Sequence, residues 1–213
     1  MSMKSELLKI AKDTNRYLEN FISRQNKTFL LRPMKYGLFS GGKKIRSKIL
    51  VDTGKIFEVN YKILIALSAA VECIHSYSLI HDDLPCMDND DIRRGKLSTH
   101  KKFGEATAVL AGNSLLALAF EIIADGRLKI KNKNKLISFL SKCSGHAGIA
   151  GGQYLDLSFE RKKISDSKII DMQIKKTGKL FSFCCAAPAI LKEKKNYVIN
   201  DLNLIGSNIG LLF

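Results

Sequence analysis

The chain has 213 residues, 46% apolar and 26% charged, with only three prolines. That fits one folded domain, two at most at about 150 residues each, and excludes disordered and collagen-like chains. The formal charge of +15 comes mostly from Lys spread along the whole sequence beside abundant Ile and Asn, the residues A/T-rich coding favours; a basic surface or a polyanionic small substrate explains it, and no nucleic-acid partner is expected.

The N-terminal MSMKSELLKIAKDTNRY has no apolar h-region and no small-residue cleavage site, so no signal peptide is expected. Helical spacing of apolar residues predicts a first amphipathic helix over about 5–22. A second follows the Gly41-Gly42 pair and carries Ile45, Ile49, Leu50 and Ile56. A third, over about 61–83, is apolar around most of its circumference and belongs in the centre of a bundle. A fourth covers 105–124; its length suits a membrane span, but Asn113 and Glu121 lie within it, so it reads as a core helix and no span is expected. A fifth runs over about 134–151, and a sixth starts near Ser165, where Ser-Asp caps a run with Ile169, Ile170, Met172 and Ile174. The last runs from about Asn196 to the end, with no convincing strand pair anywhere. The expectation is a single all-α domain over 1–213. The five cysteines, Cys73, Cys86, Cys143, Cys184 and Cys185, show no CxxC spacing and read as reduced thiols of a cytoplasmic protein. The closing NIGLLF is an apolar run without a cap and reads as a helix that continues further.

HDDLPCMDNDDIRRG, residues 81–95, places five carboxylates (Asp82, Asp83, Asp88, Asp90 and Asp91) within ten residues. They fall at the end of the third helix, where the macrodipole opposes negative charge, and their mutual repulsion calls for cations. Pro85 should break the helix near Asp83 or Leu84 and let the chain fold back, bringing Asp88 near Asp82. Oxygen ligands without cysteine suit Mg²⁺, which takes one or two carboxylates and completes its shell with water and substrate phosphates. Arg93 and Arg94 beside the cluster are what a diphosphate needs. Upstream, SGGKKIRS (40–47) offers a glycine turn and cations without P-loop spacing, a second anion site if it faces the first. Val71, His75, Ser78 and Asp82 share one helix face, which would line a cavity with the metal at its mouth.

At these residues the chain resembles the trans-isoprenyl diphosphate synthases, the farnesyl and geranylgeranyl diphosphate synthase family. The resemblance is carried in the family's order by FSGGKKIRS, AAVECIHSYSLIHDDLPCMDNDDIRRGK, THKKFGEATAVLAG, GIAGGQYLDL and KKTGKL, over roughly residues 30–213. It implies an all-α helical bundle around a deep central cavity, usually as a homodimer. It implies Asp82 and Asp88 as magnesium ligands with Asp83 supporting, and Lys43, Arg46, His75 and Arg94 as the isopentenyl diphosphate site. Arg93, Lys176 and Thr177 then contact the allylic diphosphate (dimethylallyl or geranyl), and Gln153 and Asp156 face the same cavity. Tyr77, with Ser78, is implied to set product length, favouring farnesyl diphosphate over geranylgeranyl diphosphate. Departures from the family pattern are Ser47 where proline is common, Asn89 within the Asp run, and Asn113 for the aspartate of AGD.

Family members continue into a second aspartate-rich motif, roughly QxQDDxxD, and a basic tail, which this sequence does not contain. The expectation is therefore that 213 residues alone fold poorly and turn over little, whereas an extended form is active. A non-catalytic or degenerate synthase subunit is the alternative. A metal-dependent phosphohydrolase pairing His81 with Asp82 is a rival that leaves Arg93-Arg94 and GGKK without a role.

Overall fold

The computed structural model describes residues 2–213, and they form an all-α structure with one short hairpin. The helices are α1 (Met3–Ser23), α2 (Leu31–Leu38), α3 (Ile45–Ile56), α4 (Tyr61–Asp82), α5 (Thr99–Phe103), α6 (Glu105–Asp125), α7 (Ile130–Ser144), α8 (Ile149–Phe159), α9 (Asp166–Gln173), α10 (Lys179–Leu191) and α11 (Asn196–Leu212). A π-helical turn, Ile174–Gly178, joins α9 to α10. Strands β1 (Ile92–Arg93) and β2 (Lys96–Leu97) pair antiparallel.

By backbone proximity the chain divides into two compact units, Met1–Lys48 with Ile65–Ile122 and Ile49–Leu64 with Ile123–Phe213. In the first, α4 is the apolar centre: Leu67, Ala69, Ala70, Val71, Cys73 and Ile74 are buried. Ile10, Leu18 and Ile22 form the inner stripe of α1, and α6 adds Ala108, Ala111, Leu115 and Ala119. In the second unit every residue of α10 from Leu180 to Ile190 is buried. Gly206 and Gly210 let α11 lie close against α10, and the Ser182 and Ser207 hydroxyls bond at 2.8 Å in that seam. Leu204, Ile205, Leu211 and Leu212 of α11 are exposed, and Phe213 after it brings its ring to 5.3 Å from that of Phe181 in α10.

The helices predicted near 5–22, 45–56, 61–83, 105–124 and from 196 are present with ends within a few residues. The fifth differs: it stops at Ser144, Gly145 and Gly148 turn the chain, and α8 restarts at Ile149. The sixth starts with Ser165 in the N-cap position, but its side chain makes no cap bond. α2 escaped the periodicity because Pro33 and Gly37 punctuate it; Pro33 lies in the first turn, where its missing N–H costs no intrahelical bond. α10 runs through Pro188 near its C-terminal end. The hairpin corrects the expectation of no strands: two-residue strands are too short to alternate, and the turn residues carried the signal instead. Arg94 and Gly95 have φ of +53° and +74°, as a two-residue primed turn requires.

Candidate active site

The chain leaves α4 at Asp82 and folds back beneath the helix end. Asp88 N donates to Asp82 O at 2.8 Å, and Asp90 N donates to Asp83 O at 3.2 Å. These loop amides satisfy carbonyls that a helix C-terminus otherwise leaves bare. Asn89 takes φ of +53° at the tightest point of this loop, a conformation that Asn tolerates, so its place within the aspartate run is a backbone matter.

The fold sorts the five aspartates. Asp83 is buried and receives two bonds from Arg93, the Nε one at 2.8 Å. Asp90 meets the same guanidinium at 2.9 Å, and Asp91 pairs with Lys101 at 2.9 Å. Burial pushes the Asp83 carboxyl upward while the Arg93 bonds oppose it; Arg93 is itself held above its ordinary value by its bond to Asp83. Asp82 and Asp88, the two positions assigned to the metal, are adjacent through their backbone bond, half-buried and exposed respectively. Among the described residues no three His, Cys, Asp or Glu side chains converge as an all-protein cage. A two-carboxylate platform fits Mg²⁺, which usually keeps waters and substrate phosphates in its remaining positions.

The hairpin separates the two arginines. Arg93 turns to Asp83 and Asp90, whereas Arg94 reaches the Gly41 carbonyl and, at 3.4 Å, Ser40 Oγ. Arg94 is thereby joined to the segment that leads into α3, with exposed Lys43 before the helix and half-buried Arg46 in its first turn. His75 belongs to the same cluster. Burial, then the charges of Arg46, Arg94, Lys44 and Arg93, hold its imidazole well below the ordinary 6.5, so it is neutral at pH 7. Four of the sequence-assigned residues, Arg46, His75, Arg93 and Arg94, are therefore brought together electrostatically, with Lys43 on the adjoining loop.

The depressed value has a stability consequence whose sign is fixed. The unfolded chain takes up a proton at His75 near its ordinary value and the folded chain does not, so stability is full above about pH 6.5 and falls as the pH drops below it. Thermal unfolding from pH 7.5 to 5.0 should show this decline, and His75→Gln should flatten it; equal slopes in both proteins would contradict the assignment.

Ser78 is buried and donates to the His75 carbonyl at 2.9 Å, a small and internally satisfied side chain. Tyr77 is half-buried, edge-on to the His81 ring at 5.2 Å. His81 Nε2 lies 3.1 Å from the Val109 carbonyl, and its ring packs on Gly112, where any side chain would collide with it. That engagement occupies Nε2, one of the two ring nitrogens that a metal-hydrolase reading of His81-Asp82 could use.

The second unit holds the other assigned residues. Lys176 and Thr177 lie in the π turn, a feature frequent at functional sites because it re-aims side chains within a continuous helix. Lys176 Nζ pairs with Asp156 of α8 at 2.5 Å, and Gln153, one turn earlier on α8, is buried. The residue that the sequence reading passed over is Gly152. A Cβ there would stand 2.5 Å from Lys176 Cα and closer still to its backbone nitrogen, so only glycine lets α8 approach the π turn. The doubled glycine of GGQYLD was the available signal.

A family model described as polyprenyl synthetase matches residues 27–213. The farnesyl diphosphate synthase of Buchnera aphidicola subsp. Acyrthosiphon pisum is 43% identical over 193 residues, covering 88% of this chain and 68% of that protein. The farnesyl diphosphate synthase of Micrococcus luteus is 43% identical over 178 residues, covering 84% of this chain and 61% of that protein. This chain is thus spanned by relatives of greater length, of which it matches roughly two thirds. Among solved structures, an FPP/GFPP synthase from Zymomonas mobilis superposes with a TM-score of 0.92 at 38% identity, covering 97% of this chain and 77% of that one.

Proposed function

We propose, from the premise that this chain belongs to the polyprenyl synthetase family, that it is a magnesium-dependent prenyltransferase of isoprenoid biosynthesis. It condenses an allylic diphosphate, dimethylallyl or geranyl, with isopentenyl diphosphate, and farnesyl diphosphate is the product. The observation that carries the reading is the reversal at the end of α4: the backbone bond from Asp88 N to Asp82 O brings these two aspartates together, beside the Arg93 that Asp83 and Asp90 hold. We read residues 1–213 as a single prenyl synthase domain, on the family match over 27–213.

Asp82 and Asp88 hold the metal, which when bound supplies Lewis-acid stabilisation of the departing diphosphate. Asp83 keeps Arg93 in place, and Arg93, Lys176 and Thr177 bind the allylic diphosphate; Lys176 exchanges Asp156 for it, with Gln153 alongside. Lys43, Arg46, His75 and Arg94 hold isopentenyl diphosphate. Neutral His75 donates one N–H without adding charge. The allylic C–O bond breaks, the double bond of isopentenyl diphosphate supplies the electrons of the new C–C bond, and a proton leaves to the released diphosphate. Apolar walls exclude water that would trap the cation.

A homodimer is supported by α6, where Ala106, Val109, Leu110, Asn113 and Ala117 form an exposed face. α4 and α6 are both long and apolar enough to cross a membrane, but 72% of the apolar stretch of α4 and 44% of that of α6 is buried in the protein. We read both as protein-packing helices and place the protein in the cytoplasm, in keeping with five free cysteines. No nucleic acid takes part.

The test, made on a form extended past residue 213 beside the 213 residues alone, is incorporation of labelled isopentenyl diphosphate with geranyl diphosphate and Mg²⁺, followed by chromatography of the dephosphorylated products of the extended form. A C15 alcohol is expected. Tyr77→Ala should shift the product to C20 and beyond if Tyr77 limits chain growth; an unchanged C15 product would move the limit elsewhere.

A further inference from the structure

One buried carboxylate has no part in the reaction described above. Glu72 is the one acidic residue inside α4 before Asp82, and its side chain is 4% exposed. One of its oxygens meets Lys44 Nζ at 3.0 Å, and the other accepts a bond from Ser47 Oγ at 2.7 Å. Lys44 and Ser47 are themselves buried. Lys44 also has φ of +52°, a left-handed conformation uncommon for a residue with a side chain. Its carbonyl accepts Lys48 N at 3.0 Å, so the strained residue is the one that opens α3.

A buried ion pair is a weak source of stability, since desolvation of both charges offsets their attraction, and an apolar pair could fill the same space. Its placement suggests a different use. Glu72 lies one turn before His75 on α4, and the two residues it grips are the chain neighbours of Lys43 and Arg46. The left-handed turn at Lys44 sends that side chain inward while Lys43 stays exposed.

We propose that Glu72 is a positioning residue for the isopentenyl diphosphate site: by holding Lys44 and Ser47 it aims Lys43 and Arg46 at the diphosphate that His75 and Arg94 also meet. The proposal rests on the substrate reading given above. Its negative charge also lets Lys44, Arg46 and Arg94 gather around His75 before any anion binds.

The experiment is calorimetric binding of isopentenyl diphosphate, and separately of a non-hydrolysable allylic diphosphate with Mg²⁺. Glu72→Gln alone leaves the Lys44 ammonium buried beside a neutral amide and risks unfolding. Lys44→Met with Glu72→Met removes both charges together. The double variant is expected to weaken isopentenyl diphosphate binding at least tenfold while changing the allylic ligand by less than threefold. Lys43→Ala should weaken isopentenyl diphosphate about tenfold in the wild type but less than threefold in the double variant, because Glu72 acts through Lys43. If the double variant unfolds, Ser47→Ala, which deletes one bond to Glu72 and leaves the Lys44 pair in place, carries the same comparison with an expected threefold loss. Unchanged binding, or equal weakening of both ligands, overturns the positioning role while leaving the substrate reading intact. Failure of the wild type to bind isopentenyl diphosphate overturns the substrate reading and the positioning role with it.

Discussion

Replacing Asp82 and Asp88 together by Ala will abolish magnesium-dependent binding of an allylic diphosphate and leave the fold in place. The reason lies in how the cluster is divided. Asp83 and Asp90 engage Arg93, and Asp91 engages Lys101. These pairs hold the hairpin to the end of α4, and none of them is touched by the double substitution. The backbone bond from Asp88 N to Asp82 O also persists in the double variant, so the loop stays folded back, and thermal unfolding reads what the two lost side chains contribute to stability. The loss falls on the metal: with its carboxylates gone, several kcal/mol of charge stabilisation for the leaving group disappear, on the order of a thousandfold or more in rate. Calorimetry with a non-hydrolysable allylic diphosphate, with and without Mg²⁺, reads the effect directly. Asp91→Ala serves as the comparison, with binding near that of the wild type. Metal-independent binding that survives the double substitution would remove Asp82 and Asp88 from the site.

Gly152→Ala is expected to be costly in both stability and ligand affinity, although it adds a single methyl group. That methyl meets backbone, not a flexible side chain: it would stand 2.5 Å from Lys176 Cα and overlap the neighbouring amide. α8 must then retreat from the π turn. Overpacking of this kind costs about 1–3 kcal/mol, which for a chain of this size lowers the melting temperature by roughly 2–4 °C per kcal/mol. The displacement also moves Lys176 and Thr177 and breaks the Lys176–Asp156 pair, and a shift of about 1 Å in a positioned group can cost on the order of a hundredfold in rate. Differential scanning calorimetry together with titration of the allylic ligand would separate the two effects. An unchanged melting temperature would mean that α8 and the π turn are not in close contact.

The sequence by itself determined the helical class, the extent of the long helices and the family. Apolar residues recur with helical period through α1, α4 and α6, and the helices form where those patterns lie. It also marked the acidic cluster and its arginines, because five aspartates in ten residues cannot be placed without cations or a metal. Which aspartate meets which partner was a matter for the tertiary structure. Identical side chains at 82, 83, 88, 90 and 91 are distinguished by a backbone reversal at Asn89 and a primed turn at Arg94-Gly95, neither of which leaves a periodic trace. The same holds for Gly152, whose importance lies in what packs opposite it some twenty residues on. It holds again for Glu72, which looks in sequence like an interruption of an apolar helix and is in the fold the partner of Lys44 and Ser47. Periodicity reports the face a residue presents; contacts between residues distant in the chain depend on how the helices pack, and there the hydrogen bonds and close approaches of this site are made.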